Sequence, residues 1–252
     1  MWISGLVSVS FRKETPETII QATKAAGLQA IEWGGDVHVP PTDLQNAARI
    51  GRLTREAGLQ VAAYGSYFRL GTGGDFAPVL AAAKALEAPV IRIWAGTADS
   101  DKVSPEERAA LVAEARAVAE AAAGENITVT LECHGGTLTD NWPSALDFVR
   151  AVDHPHLKMY WQPNQFRDFA YNCEAAEQLA GDTVNLHVFH WDDKGCYPLA
   201  EGTDLWQAYM AIFRRHWGGE DHALLLEFMH DGRLKSLPET AATLNQWISE
   251  WV

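Results

Sequence analysis

Four polar residues stand at the ends of successive apolar runs in the second half of the chain. Glu132 closes ITVTLE, Gln162 closes LKMYWQ, His187 sits within VNLHV, and Glu227 closes ALLLE. A carboxylate that follows such a run is carried into the protein interior. Burial there is costly unless the charge is paired or bound to a metal. On a strand alternate residues share a face, which groups Thr130, Glu132 and His134, Asn185 with His187, and Leu225 with Glu227. Four neighbouring strands then offer two carboxylates, one amide oxygen and one imidazole to a common centre. Hard oxygen donors with one nitrogen suit Mn2+ or Mg2+, with Co2+ or Zn2+ as alternatives. The blander reading pairs Glu132 with Arg92 or Lys158 and makes His187 a hydrogen-bonded core residue. Recurrence on four consecutive runs favours the shared site.

Further polar and aromatic residues gather at run ends, and Trp33, His38, Arg92, Trp94, His134, Gln165 and His190 are candidates for substrate binding. Arg92, inside the apolar run PVIRIW, needs a carboxylate, and Glu32 is the expected partner. Trp33, Trp94, Trp161 and Trp191 are suited either to walling a pocket for the apolar face of a sugar or to packing at its rim. No glycine-rich phosphate loop supports a phosphorylated substrate.

The elements that must position these residues are legible from spacing. Apolar runs end at Phe11, Trp33, Tyr64, Trp94, Cys133, Gln162, Trp191 and Met229, each separated from the next by the room a βα unit needs. AAGLQAIEW from Ala25, EAGLQVAAY from Glu56 and ALEAPVIRIW from Ala85 form a weak internal repeat, with Gly27 and Gly58 placed to end helices in a left-handed residue. Thr15-Pro16, Ser104-Pro105-Glu106-Glu107 and Ser236 with Glu239 read as helix N-termini, the last two as capping boxes. Eight strands alternating with helices, and no linker between them, predict a single (β/α)8 TIM barrel domain over residues 1–252. In that fold the strand C-termini meet at one face, where function gathers.

Composition limits the partners. The chain has 33 acidic against 20 basic side chains, a net charge of −13, and no basic patch, which argues against nucleic acid. No apolar run is long enough for a membrane span, and the opening residues lack a secretory leader pattern. Cys133, Cys173 and Cys196 show no CxxC spacing, so a reduced, cytoplasmic setting is expected. The sequence admits a homo-oligomer and leaves a small-molecule carbohydrate as the expected partner.

ECHGGTLTDN from Glu132, YWQPNQ from Tyr160, LHVFHWDD from Leu186 and LLLEFM from Leu224 resemble the later strand motifs of the sugar phosphate isomerase/epimerase-like TIM barrels, the xylose isomerase-like superfamily. The resemblance implies that Glu132, His187 and Glu227 bind a divalent metal and that the two glutamates act as acid and base. It also selects His187 over His190 as the ligand. It implies proton abstraction next to a carbonyl through an enediolate, giving isomerisation or epimerisation of a sugar. Loss of a β-hydroxyl would instead make a dehydratase on a keto-sugar or cyclitol. The chain departs from the family on the sixth strand, where Asp-x-x-His is replaced by Gln162-Pro163-Asn164-Gln165. That removes one negative charge from the ligand set and one proton carrier. Two other readings compete. One is a noncatalytic carbohydrate-binding barrel; the other is a multi-metal apurinic endonuclease, against which the acidic charge and the scarcity of spare His and Asp ligands both count.

Overall fold

The computed structural model describes residues 1–251. The eight strands are β1 (Trp2–Val7), β2 (Ala30–Gly34), β3 (Gln60–Arg69), β4 (Val90–Trp94), β5 (Thr128–Glu132), β6 (Leu157–Trp161), β7 (Thr183–Val188) and β8 (His222–Leu226). They close in sequence order, all parallel, with β1 pairing both β2 and β8. The helices α1 (Pro16–Ala25), α2 (Leu44–Glu56), α3 (Ala77–Leu86), α4 (Pro105–Ala123), α5 (Trp142–Val152), α6 (Phe169–Leu179), α7 (Thr203–His216) and α8 (Leu237–Trp251) alternate with them. This is the expected (β/α)8 barrel.

Two cores result. The larger lies between the sheet and the helices and includes Ile31, Trp33, Ile93, Leu131, Trp161 and Leu186. The smaller fills the barrel itself with Val7, Ala63, Val90, Tyr160, Ala223 and Leu225. Strand alternation separates the two, since neighbouring residues point to opposite faces.

Local signals behave as their chemistry requires. Thr15 accepts from the Thr18 amide, and Ser104 with Glu107 forms a reciprocal capping box on α4. Gly27 and Gly58 have φ of 73° and 82°, and the third copy of the repeat puts Glu87 in the same left-handed conformation at φ 59°. At the start of α8, by contrast, Ser236 gives its hydroxyl to Asp231, and no reciprocal box with Glu239 is seen among the described residues.

Three strands end three or four residues before their apolar runs, among them β8, which stops at Leu226. β1 stops at Val7, and Ser8–Phe11 wind into a 3-10 turn in which the Ser8 hydroxyl accepts from the Gly34 amide. β7 stops at Val188, and the following loop makes only an isolated bridge between Trp191 and Cys196. The three cysteines are free thiols, and among the described residues no helix is long and apolar enough to cross a membrane.

Replacing Ser104 by Ala removes one half of the capping box and should lower stability by about 1 kcal/mol. A urea unfolding curve shifted by that amount with an unchanged slope is the expected result.

Candidate active site and metal centre

Inward-facing residues at the strand C-termini assemble the site. Glu132 ends β5, His187 lies near the end of β7, and Glu227 follows β8, all three buried. One ligand atom from each lies within 4.8 Å of the others. Around the His187 Nδ1, the Gln162 Oε1 is at 3.0 Å and one carboxylate oxygen each of Glu132 and Glu227 is at 3.5 Å. The Gln162 Nε2 donates to the Cys133 carbonyl at 2.9 Å, which fixes the amide so that its oxygen faces this centre. All four residues expected to converge therefore do so.

Behind them runs a buried ion network. The Arg92 Nε donates to the Glu32 Oε1 at 3.0 Å and its Nη1 donates to the Glu132 Oε2 at 2.5 Å. Glu32 is the partner expected for Arg92; Glu132 is a second one. The Trp94 indole also donates to the Glu132 Oε2, at 2.6 Å. The remaining oxygen of Glu32 accepts from the His187 Nε2 at 3.2 Å, which orients the imidazole so that Nδ1 faces the centre. Gly65 makes room for this pair, because a Cβ there would lie 2.4 Å from Glu32 and 2.8 Å from Arg92.

The electrostatics follow from the network. Burial raises the Glu132 pKa, but the Arg92 charge outweighs it and holds the group well below the usual carboxylate range. For Glu32 the same contest, with His187 helping, ends at about 2. Glu227 moves the other way: burial raises it, and Glu132 and Glu32 add to the rise against His187 and Arg92. Burial disfavours charge on His187, yet Glu227 and Glu32 outweigh this and raise it to about 10. Three carboxylates against one guanidinium leave the cage two charges negative when His187 is neutral, matching one divalent cation. The donor set, its spacing and its charge all fit such an ion.

Above this centre opens a cavity of about 530 Å3, lined among others by Arg92, Trp94, Glu132, His134, Gln162, Gln165 and Glu227. The His134 Nδ1 contacts the Gly135 carbonyl at 2.6 Å; a carbonyl only accepts, so Nδ1 carries a proton, which in the neutral ring places the lone pair on Nε2. Phe228, also on the wall, has φ of 57°, a left-handed residue directly after Glu227.

Three candidates for substrate binding lie elsewhere. Trp33 is fully buried against α2, its indole donating to Thr54 at 3.1 Å. As the strand neighbour of Glu32 it must face the opposite way. His38 is buried between the Ser8 hydroxyl and the Glu14 carbonyl, where it ties loops together. His190 lies tilted beside Tyr197 and packs on Gly202, in the loop beyond β7. Of the four tryptophans weighed as walls, Trp94, Trp161 and Trp191 line the cavity. Arg12, directly after the first apolar run, Tyr67, near the end of β3, and Trp142 and Tyr171, on α5 and α6, also line it.

The model of the xylose isomerase-like TIM barrel matches residues 20–249. The chain belongs to this family. The 3-dehydroshikimate dehydratase of Bacillus anthracis is 28% identical over 166 residues, which are 62% of this chain and 59% of that protein. The crystal structure of the probable 3-DHS dehydratase AsbF from Bacillus anthracis superposes with a TM-score of 0.77 at 23% identity, covering 97% of this chain and 99% of that one. A xylose isomerase-like TIM barrel protein from Mycobacterium smegmatis, solved in complex with magnesium, gives a TM-score of 0.73 at 12% identity over 99% of this chain and 97% of that one. The relatives include enzymes, and neighbours were solved with a divalent cation, magnesium in one and zinc in another.

Arg92→Met should destabilise the fold by about 3–5 kcal/mol, since it leaves Glu32 and Glu132 buried without a counter-charge. Gly65→Ala should cost about 1–3 kcal/mol by displacing the same pair. Chemical denaturation of both variants checks this, and a Gly65→Ala protein as stable as wild type would remove the pair from its assigned place.

Proposed function

We propose that the chain is a divalent-metal-dependent dehydratase that acts next to a carbonyl on a small polyhydroxylated compound, a keto-sugar or cyclitol. The carrying observation is the unequal state of the two glutamates. Arg92 and Trp94 both donate to one oxygen of Glu132, a hold that makes it a poor base. Epimerisation through two carboxylates needs two comparable proton carriers, whereas elimination needs only one group that takes and returns a proton. The likeness to a curated dehydratase supports the same choice.

Glu132, Gln162, His187 and Glu227 would hold the cation, which supplies stabilisation for negative charge building on the carbonyl oxygen. Arg92, Trp94 and Glu32 keep the Glu132 and His187 donors aimed. His134, with a lone pair on Nε2, takes the proton from the carbon beside the carbonyl. The freed electron pair forms the carbon–carbon double bond as the C–O bond of the β-hydroxyl breaks. The same proton passes from His134 to the departing oxygen, which leaves as water. Gln165 and Tyr67, at the cavity wall, orient the substrate hydroxyls. The free thiols suit a cytoplasmic setting, and the acidic chain suits a small-molecule partner rather than nucleic acid.

A second reading, sugar isomerase or epimerase, is favoured by the nearness of both Glu132 and Glu227 to one centre. Calorimetric titration of Mn2+ with turnover on keto-sugars, cyclitols and 3-dehydroshikimate in deuterated water separates the readings. Wild type should bind Mn2+ and release water from one substrate. Glu227→Gln should lose more than the roughly 10–100-fold in metal affinity that removal of an outer partner costs. Gln162→Asp should tighten binding by adding a negative charge. His134→Asn should keep the metal and cut turnover at least about 100-fold. Deuterium incorporation without water loss would move the assignment to the epimerase. No Mn2+ uptake at millimolar concentration and no turnover would leave a binding barrel.

A further inference from the structure

An imidazole that moves a proton needs one nitrogen held and the other left with its lone pair. His134 meets that need through the main chain that follows it. Its Nδ1 donates to the Gly135 carbonyl at 2.6 Å, a bond whose geometry depends on the peptide units on either side of Gly135. Packing does not fix those units. Gly136 has the left-handed φ of 72°, and a Cβ at Gly135 or Gly136 would meet nothing within 4 Å. The tip of this loop is held by hydrogen bonds instead, and each peptide unit has its own.

The first unit carries the His134 carbonyl, which accepts from the Thr137 hydroxyl at 2.6 Å. Thr137 is fully buried, and the Thr139 amide donates to its Oγ1 at 3.1 Å, which directs the hydroxyl proton toward that carbonyl. The second unit carries both the Gly135 carbonyl and the Gly136 N–H, which point in opposite directions across one planar amide. The Gly136 N–H donates to the Asp99 Oδ1 at 2.7 Å. Whatever fixes that donor also fixes the acceptor that His134 uses, and hydrogen bonds at the two ends of one amide polarise each other.

Asp99 is itself firmly placed. It lies in the loop between β4 and α4, and its Oδ2 accepts from Lys102 at 2.5 Å. Lys102 and the Gly136 amide together hold its carboxyl below the usual range. On either side of it the loops after β4 and β5 are tied again: the Leu138 amide donates to the Ala95 carbonyl at 2.8 Å, and the Asn141 side chain donates to the Ser100 hydroxyl at 2.8 Å. Both oxygens of an aspartate outside the cavity wall are thus committed, one of them to the loop that carries His134.

We propose that Asp99 is a positioning residue for His134: acting through the Gly135–Gly136 peptide, with Thr137 on the preceding peptide, it holds the imidazole as the Nδ1–H tautomer and keeps the lone pair on Nε2. The arrangement is a histidine oriented by a carboxylate, with a main-chain amide between the two. Only the use of that lone pair rests on the dehydratase reading. The test reads the His134 tautomer by imidazole nitrogen NMR of the isotope-labelled full chain with Mg2+ present, at about pH 8, where an ordinary imidazole is neutral. The signals lost in His134→Asn identify the residue. Wild type should show mainly the Nδ1–H form. Asp99→Ala should lower the ratio of Nδ1–H to Nε2–H several-fold, the scale of one net hydrogen bond, and Asp99→Asn, which keeps an oxygen acceptor, should restore it. Thr137→Val should lower the ratio in the same way, and Thr137→Ser should not. With 3-dehydroshikimate as substrate, Asp99→Ala should cut kcat several-fold and leave KM within about twofold of wild type. An Asp99→Ala ratio equal to that of wild type, alanine and asparagine variants that behave alike, or a wild type in the Nε2–H form overturns the proposal, even where water is released. A wild type that releases no water yet loses its Nδ1–H form in Asp99→Ala ends the dehydratase reading and leaves this assignment standing.

Discussion

The buried guanidinium of Arg92 is the constraint on which the site depends. It sits inside the barrel on β4 and is 2% exposed, so it cannot be solvated and must be neutralised by neighbours. Glu32 on β2 and Glu132 on β5 do this from either side. Neither carboxylate would stay ionised in that interior without it. The consequences pass along both arms. Through Glu132 the pair, with Trp94, sets which carboxylate oxygen remains for the centre. Through Glu32 it aims the Nδ1 of His187 at the same point. Even a residue without a side chain belongs to the arrangement, since Gly65 on β3 leaves the space that the Glu32–Arg92 pair occupies.

The rhythm of the chain made the barrel legible. Apolar runs at βα spacing, glycines closing helices before strands, and the Ser104 capping box are local chemistry that the fold preserves. The convergence of Glu132, Gln162, His187 and Glu227 was legible for the same reason: strand alternation decides which residues face inward. Where that rule was not applied, or does not reach, the reading failed. Trp33 follows Glu32 directly, so alternation sends it to the helix layer. His38 and His190 lie beyond strand ends, where only loop hydrogen bonds decide orientation and no period announces them. Trp142 and Tyr171 reach the cavity from helices, and at helical spacing an aromatic residue reads as ordinary packing.

Position 162 shows how one substitution is absorbed. The family's usual Asp would place a full negative charge against the cation. Here Gln162 offers only an oxygen, held in place by its own Nε2 bond to the Cys133 carbonyl. The missing charge is supplied at one remove, by Glu32 through the imidazole of His187. Counted with Arg92, the cage keeps a charge of minus two, so the change at 162 alters the softness and reach of the donor set more than its electrostatic balance.

Position 165 is a different matter, because Gln165 cannot carry a proton and nothing replaces it in kind. In the proposed dehydration the proton chemistry then falls to groups already at the cavity. Both nitrogens of His187 are engaged, Nε2 with Glu32 and Nδ1 toward Gln162. Glu132 is held by Arg92 and Trp94. His134 differs from both: its Nδ1 is fixed on the neighbouring Gly135 carbonyl, and its ring is braced 5.6 Å from that of Trp94. The indole that holds the Glu132 carboxylate also steadies the imidazole with the available lone pair. In the proposed mechanism the holding of the centre and the movement of the proton thus meet at Trp94, which bonds the Glu132 carboxylate and braces the His134 ring.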